Sequence, residues 1–333
     1  MNPENKTIAV MTSGGDAPGM NAAIWGVFIR AREYGYRVLG IRRGFAGLLD
    51  EEIFELEHED VDQIISRGGT VLGTSRCEEF YQIPVQEKAA QICRSYGIST
   101  VVVVGGDGSF RGAECLNQQG IGVVGIPGTI DLDIGCTEYT LGFDTAVNSA
   151  METIDKIEDT SRAHRCYSVV EVMGRRAGYI AEYCGIANSA CKIIIPERDT
   201  MSDLIEDLKS QKQRYGTIIV AEGAAKAGDV ANMIEEEFRV HTRVDVLGFL
   251  QRGGSPTNRD RVCGCRMGAY AVDLIRQDKT SHVVVISRGD VDHIRIDRAL
   301  EAVRNLPEEL FKLGVTVGHA GQETGHEDLN CRS

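Results

Sequence analysis

The chain has 333 residues, of which 42% are apolar, and a formal net charge of −13. This acidity disfavours nonspecific nucleic-acid binding, which needs a basic face. No apolar run approaches the ~18 residues of a membrane-spanning helix. The N-terminus, MNPENKTIAVMTSGG, lacks the basic start and long apolar segment of a secretion signal, so a cytoplasmic location is expected.

Ten cysteines are scattered along the chain without a C-x-x-C pair. Buried thiols in a reducing compartment are the expected state, and a zinc site is the alternative. A lone C-x-C at Cys263 and Cys265 is the closest spacing in the sequence. This spacing falls within a helical pattern, so it favours thiols over metal.

Short apolar, β-branched segments alternate with helical patterns along the chain. Strands are predicted at 7–13, 37–41, 100–106, 122–127, 167–173, 191–196, 217–223, 243–248 and 282–287. Helical periodicity is clearest over 144–161 and 202–214. The alternation predicts an α/β fold of mostly parallel sheets flanked by helices, with length enough for about two domains. No linker marks a boundary, which fits two packed lobes with a cleft between them.

Two glycine-rich turns follow predicted strands, at the ends where open α/β sheets bind ligands. The first is TSGGDAPGMNAA (12–23) and the second is VVVVGGDGSFRGA (101–113). Glycine lets the backbone approach a phosphate, and a helix N-terminus offers unpaired N–H groups. A plain tight turn is the alternative. Asp107 stands between the glycines of the second turn. An acid there would repel a phosphate unless it held a Mg²⁺ ion that bridges the carboxylate and the phosphate oxygens.

Two nucleotide-binding patterns are missing from the sequence. G-x-x-x-x-G-K-[ST] does not occur, and G-x-G-x-x-G does not occur in these turns. A P-loop nucleoside triphosphatase and a Rossmann dehydrogenase are therefore disfavoured.

The segment GIPGTIDLD (125–133) places Asp131 and Asp133 directly after a buried strand. Phosphoryl transfer to a hydroxyl needs a base on the acceptor, Mg²⁺, and positive charge on the migrating group. The two acids fit the first two requirements, and a helix cap or solvated loop acids are the alternative. Arg175, Arg243 and Arg252 lie at strand ends or in glycine-rich loops, and their guanidinium groups suit phosphate.

Together these stretches resemble the ATP-dependent 6-phosphofructokinases of bacterial type. The matching segments keep the family's order and spacing over most of the chain: TSGGDAPGMNAAI, SRGGTVLGTSRC, VVVVGGDGS, GIPGTIDLD, YTLGFDTA, VVEVMGR, VAEG, TRVDVLG and QRGGSPT. The resemblance implies a larger ATP-binding lobe (1–138 plus 252–305) and a smaller sugar-phosphate lobe (139–251 plus 306–320). A polar tail (321–333) follows. The active site would lie in the cleft, and the expected assembly is a homotetramer.

The resemblance also implies roles for individual residues. The ATP site would comprise Gly15, Arg76, Cys77, Gly106, Asp107, Gly108 and Ser109, with Asp107 as the Mg²⁺ ligand. Asp131 would be the base for the 1-hydroxyl, Thr129 would lie beside it, and Arg175 would stabilise the transferred phosphoryl group. The sugar would contact Asp133, Met173, Gly174 and Glu222. The 6-phosphate would meet Arg252, position 249 (here Phe249), and Arg243 from a neighbouring subunit.

The chain departs from the family at several of these places. Leu132 replaces the usual Asn between the two acids, and Cys166 and Phe249 replace an arginine and a histidine that hold the 6-phosphate. The effector site for nucleoside diphosphates and phosphoenolpyruvate has also lost its cations, with Trp25, Ile29, Glu158 and Gln213 in their places.

The predicted activity is therefore ATP-dependent phosphorylation of fructose 6-phosphate at the 1-hydroxyl, a step of glycolysis that yields fructose 1,6-bisphosphate and ADP. Small residues at Gly108 and Gly128 favour ATP over pyrophosphate as donor. The alternatives are a kinase for another ketose phosphate and a weakly active or regulatory homologue.

Overall fold

The computed structural model describes residues 6–196, 198, 201–210 and 215–320, and the statements below refer to these residues. The predicted tail, 321–333, lies outside them. The strands are β1 Thr7–Thr12, β2 Arg37–Ile41, β3 Ile53–Glu55, β4 Ile98–Gly105, β5 Gly122–Thr129, β6 Leu141–Gly142, β7 Tyr167–Val172, β8 Lys192–Ile194, β9 Gly216–Ala221, β10 Thr242–Val246, β11 His282–Ser287 and β12 Asp290–Arg295.

The helices alternate with these strands. They are α1 Met20–Glu33, α2 Gly44–Leu49, α3 His58–Val61, α4 Ile83–Ser95, α5 Asp107–Gln118, α6 Phe143–His164, α7 Tyr179–Ala187, α8 Met201–Ser210, α9 Ala227–Phe238, α10 Asn258–Arg276, α11 Ile296–Glu301 and α12 Glu308–Ala320. No helix within the described ranges is long and apolar enough to cross a membrane.

The chain divides into two compact units. The larger is Met1–Ala146 with Arg252–Arg304, and the smaller is Val147–Gln251 with Asn305–Ser333. Residues 139–146, which the sequence placed in the smaller lobe, pack with the larger unit. Tyr139, Gly142 and Thr145 are hydrogen-bonded there to Asp260 on α10.

The larger unit is built on an eight-stranded sheet in the order β12-β11-β5-β4-β1-β2-β3, with β6 paired to β5. Its central strands are rich in valine and isoleucine and are buried on both faces, as expected for parallel strands covered by helices. The strands β1, β4 and β5 are parallel neighbours, so their carboxyl ends at Thr12, Gly105 and Thr129 meet at one edge.

The smaller unit has a four-stranded parallel sheet in the order β10-β7-β9-β8. Its core includes Val169, Ile218 and Val220 under α8 and α9. The edge strand β10 exposes Val244 and Val246.

The predicted fold class is confirmed, and each of the nine predicted strands overlaps an observed one. The prediction missed β3, β6 and β12. The first two are only three and two residues long. Strand β12 is an antiparallel edge strand, DVDHIR, whose charged residues hide its periodicity. The helix predicted at 202–214 is α8, and residues 211–214 lie outside the described part.

Candidate active site

The glycine-rich turns of the larger unit lie side by side because their strands are neighbours. Ser109 in the second turn donates a hydrogen bond from Oγ to the Ser13 carbonyl in the first, at 3.0 Å. A Cβ on Gly106 would lie 4.0 Å from the Thr129 Cβ. The two turns and the end of β5 therefore form one surface.

A third loop, residues 67–77, is fastened to this surface. Thr74 donates to the Gly14 carbonyl at 2.8 Å, and Thr12 donates to the Gly73 carbonyl at 2.6 Å. The buried Asn21 accepts from the Val71 N–H at 2.8 Å. These bonds hold the loop that carries Arg76 and Cys77 next to the first glycine-rich turn, which is where the ATP site is predicted.

The first turn of α5 carries the predicted metal ligand. Asp107 is the first residue of this helix and is exposed, and Ser109 is buried behind it. Nothing lies within 4 Å of a Cβ placed on Gly108. One exposed carboxylate at the start of α5 fits Mg²⁺, which takes few protein ligands and completes its shell with water and phosphate oxygens.

The proposed base lies at the end of β5. Asp131 is 2% exposed, and its backbone N–H donates to Thr129 Oγ1 at 3.2 Å. The next residue, Leu132, has φ of 56°, in the left-handed region that asparagine tolerates better than leucine. The asparagine that the resemblance predicts at this position would therefore be less strained than leucine. Leu132 is buried, so its packing offsets the strain.

Arg252 extends toward the first glycine turn. A Cβ on Gly15 would lie 3.3 Å from the Arg252 Nη1 atom. The Asp16 carboxylate lies 3.9 Å from the same nitrogen. The arginine predicted for the 6-phosphate and the glycine predicted for ATP are therefore adjacent in the larger unit.

In the smaller unit, the loop after β7 carries Met173, Gly174 and Arg175. The Arg175 backbone N–H donates to Glu222 Oε1 at 2.9 Å, which ties this loop to the end of β9. Gly223 packs against the Arg175 carbonyl so closely that a Cβ would collide with it. The structure thus brings together four predicted site residues in this unit.

Gln251 braces the same loop. This fully buried amide accepts from the Met173 N–H at 3.3 Å and donates to the Gly248 carbonyl at 3.2 Å. It therefore links the loop after β7 to the 3-10 helix Gly248–Arg252, which carries Phe249.

Arg243 lies away from the other predicted residues of the smaller unit. It pairs in register with Ser168 near the start of β7, whereas Met173 follows the end of that strand. Five residues at ~3.3 Å each separate the two levels by roughly 16 Å. Arg243 donates instead to Thr160 Oγ1 at 3.0 Å. Cys166 lies near the same end of the sheet, directly before β7.

The two changed phosphate positions differ in environment. Cys166 is 5% exposed, and its Sγ lies 4.0 Å from the Ser161 carbonyl oxygen. Phe249 is 77% exposed, so it presents an apolar ring where the resemblance predicts a histidine.

Comparison with known proteins gives the chain a family. The Phosphofructokinase family pattern matches residues 7–275. The chain belongs to the phosphofructokinase family. It is 46% identical over 316 residues to ATP-dependent 6-phosphofructokinase 1 of Clostridium perfringens, covering 94% of this chain and 99% of that one. It is 48% identical over the same length to the ATP-dependent 6-phosphofructokinase of Clostridium botulinum, strain Loch Maree, with the same coverage.

Solved structures agree on the phosphofructokinase fold. The phosphofructokinase of Saccharomyces cerevisiae superposes with a TM-score of 0.83 at 31% identity, covering 96% of this chain and 48% of the yeast chain. The chain thus spans about half of that larger protein. A pyrophosphate-dependent phosphofructokinase from Marinobacter aquaeolei has a TM-score of 0.81 at 22% identity, over 91% of this chain and 86% of the other, which supports the fold alone.

The positions that the resemblance assigns to an effector site carry no Lys or Arg among the described residues. Glu158 is paired with Arg162, whose Nε lies 2.9 Å from its carboxylate. Trp25 and Ile29 are half-buried on α1, and Gln213 lies outside the described residues.

The described cysteines are free thiols. No disulfide joins the nine described cysteines. Within the described part of the chain, no group of three or more His, Cys, Asp or Glu side chains is placed to hold a metal ion. Burial raises the pKa of Cys77, the thiol in the predicted ATP site. Sequence reasoning gave no role to Asp16, Asn21, Gln251 and Asp260, because their contacts are made across the fold; the first three do lie within the quoted motifs.

Proposed function

We propose that the chain is an ATP-dependent 6-phosphofructokinase, which phosphorylates the 1-hydroxyl of fructose 6-phosphate and releases ADP. The observation that carries this proposal is near-complete coverage of relatives bearing that name at 46–48% identity. The arrangement of the larger unit supports it, because Thr129 ends β5 beside two glycine-rich turns and Asp131 follows it in the next loop.

Asp131 would accept the proton of the sugar's 1-hydroxyl while the oxygen of that hydroxyl attacks the γ-phosphorus of ATP. Its burial at the strand end and the hydrogen bond from its own N–H to Thr129 fix the backbone from which it acts. A general base of this kind accelerates proton transfer by about 10²–10⁴-fold.

The larger unit would bind ATP through its glycine-rich turns. Gly15, Gly106, Gly108 and the α5 N-terminus offer backbone N–H groups to the phosphates. Asp107 would hold Mg²⁺, which when bound neutralises the phosphate charge. Open space at Gly108 suits a nucleotide. Gly128 carries less weight, because a Cβ there would lie 3.1 Å from Met20 and Val104 whatever the donor.

The smaller unit would bind the sugar phosphate. Arg175 would stabilise the transferred phosphoryl group, with its backbone held by Glu222. Met173, Gly174 and Glu222 would contact the sugar, as would Asp133 of the larger unit. Arg252 and the Phe249 position would meet the 6-phosphate.

The expected assembly is a homotetramer in the cytoplasm, with Arg243 completing the active site of a neighbouring subunit. Its position at the far end of β7 from Met173 supports this role. The exposed Val244 and Val246 on the edge strand suit burial against another subunit. Mixed tetramers of Asp131→Ser and Arg243→Ser chains should recover activity that neither variant has alone. Light scattering should give the tetramer mass.

Phe249 and Cys166 favour an alternative acceptor as the second candidate. An exposed aromatic ring and a buried thiol supply no charge to a phosphate dianion. Another ketose phosphate, or weak activity with a regulatory role, would fit such a site.

The test is a coupled assay of ADP formation from MgATP with fructose 6-phosphate and a panel of other ketose phosphates. Fructose 6-phosphate should give the highest kcat/KM. The matched control is Asp131→Ser, which should abolish turnover of every acceptor. A different ketose phosphate turning over more efficiently would reject fructose 6-phosphate as the substrate. No turnover with any acceptor would reject the kinase assignment.

A further inference from the structure

Asp260 on α10 is a buried carboxylate with an unusual number of donors. It is fully buried, and it accepts hydrogen bonds from the Tyr139 hydroxyl at 2.6 Å and from the Gly142 N–H at 2.7 Å. Thr145 donates two more, from its N–H at 3.0 Å and from its hydroxyl. All four donors lie in the segment 139–145.

No Lys or Arg pairs with Asp260 among the ion pairs of the described residues. Burial raises the pKa of Asp260, and the hydrogen bonds from Thr145 and Tyr139 oppose that rise. A buried charge is costly unless hydrogen bonds compensate it. Four donors to one carboxylate therefore hold the segment firmly against α10. If the segment moved away, the buried carboxylate of Asp260 would lose its hydrogen bonds.

The segment 139–145 lies directly against the end of β5. Its short strand β6 pairs with β5, placing Gly142 opposite Thr129. Thr140 donates from Oγ1 to the Thr129 carbonyl at 2.7 Å. Thr129 in turn accepts from the Asp131 N–H. Asp260 is thus connected to the residue proposed as the base through hydrogen bonds to the segment 139–145, the backbone of that segment, and hydrogen bonds from the segment and Asp131 to Thr129.

We propose that Asp260 is a positioning residue for the phosphoryl transfer, which fixes the end of β5 through Thr140 and Gly142 so that Asp131 points at the acceptor hydroxyl. The proposal rests on the function proposed above. Asp260 itself touches no substrate in this scheme. Its effect on rate arises because a misplacement of about 1 Å costs about 10²-fold.

The donors allow matched variants. Asp260→Asn keeps the size but replaces an acceptor oxygen with a donor, which disrupts the bonds to the segment. Thr140→Val keeps the shape and removes only the bond to Thr129. Tyr139→Phe is the control, since it removes one donor to Asp260 but leaves Thr140 and Gly142 in place.

The measurements are kcat and KM at a temperature well below unfolding, the unfolding temperature, and backbone hydrogen exchange of residues 128–133. Asp260→Asn and Thr140→Val should lower kcat by about 10–100-fold, with KM for ATP changed less than about threefold and faster exchange at 128–133. Tyr139→Phe should unfold at lower temperature and keep kcat within about twofold of wild type.

If Asp260 only stabilises the fold and does not position Asp131, a different result is expected. Folded Asp260→Asn and Thr140→Val would then keep wild-type kcat and exchange while unfolding earlier, and that result would overturn the proposal. If Asp260→Asn does not fold, Thr140→Val alone decides it by the same criteria. A wild type that phosphorylates no sugar phosphate refutes the proposed function instead, and hydrogen exchange still tests the bracing of β5.

Discussion

Replacing Phe249 with histidine should strengthen the binding of fructose 6-phosphate. The ring of Phe249 is 77% exposed, so its removal sacrifices little buried apolar surface. A histidine would add one donor to the 6-phosphate, and a hydrogen bond to a charged group contributes about 1.5–3 kcal/mol. At ~1.4 kcal/mol per tenfold, KM for fructose 6-phosphate should fall by roughly one to two decades.

The companion change, Cys166→Arg, should behave differently. Cys166 is buried against the Ser161 carbonyl, so a larger side chain there overpacks its surroundings at a cost of about 1–3 kcal/mol of folding free energy. The unfolding temperature should therefore fall. If the arginine reaches the phosphate of a neighbouring site, the double variant should lower KM at least tenfold relative to wild type, with KM for ATP nearly constant.

The assay is steady-state ADP formation at saturating MgATP with fructose 6-phosphate varied, for wild type, each single variant and the double variant. Phe249→Leu is the matched control, because it shortens the apolar group without adding a donor and should leave KM unchanged. The reasoning is refuted if Phe249→His leaves KM unchanged, or if the wild type already saturates at micromolar fructose 6-phosphate.

Three further predictions concern the base, the phosphoryl donor and control by effectors. Asp131→Ser should lower kcat by at least ~10²–10⁴-fold, with ATP binding measured by calorimetry little changed, and a variant with half the wild-type rate would exclude Asp131 as the base. MgATP should be turned over faster than pyrophosphate, and Gly108→Asp should weaken ATP use by filling the open space at that position; preference for pyrophosphate in the wild type would contradict this. Micromolar phosphoenolpyruvate or ADP should leave the fructose 6-phosphate saturation curve unchanged, because each lost charge-assisted bond to an anion removes about 1.5–3 kcal/mol, and a shifted curve would reveal a different effector site.

The sequence predicted the parts of the molecule that depend on local pattern. Runs such as VVVVGG and the glycine turns locate strands and their ends, and neighbouring parallel strands then bring Gly106 and Thr129 together. Roles that depend on distant contacts were not predictable. Gln251 and Asp260 act through partners 78 and up to 121 positions away in the chain, and no spacing rule reports such contacts.

The position of Arg243 in the sheet also could not be read from its motif. Its motif matched the family, but only the register of β10 against β7 reveals that it lies at the far end of the sheet from Met173. Likewise, the left-handed conformation at Leu132 follows from the path of the loop after β5 and not from the leucine itself.

The most direct test of the central claim is phosphorus NMR of the products formed from MgATP and fructose 6-phosphate by wild type and Asp131→Ser. The account predicts fructose 1,6-bisphosphate and ADP in equal amounts from the wild type, and almost none of either from the variant. A product phosphorylated at another hydroxyl, or equal product formation by Asp131→Ser, would contradict it.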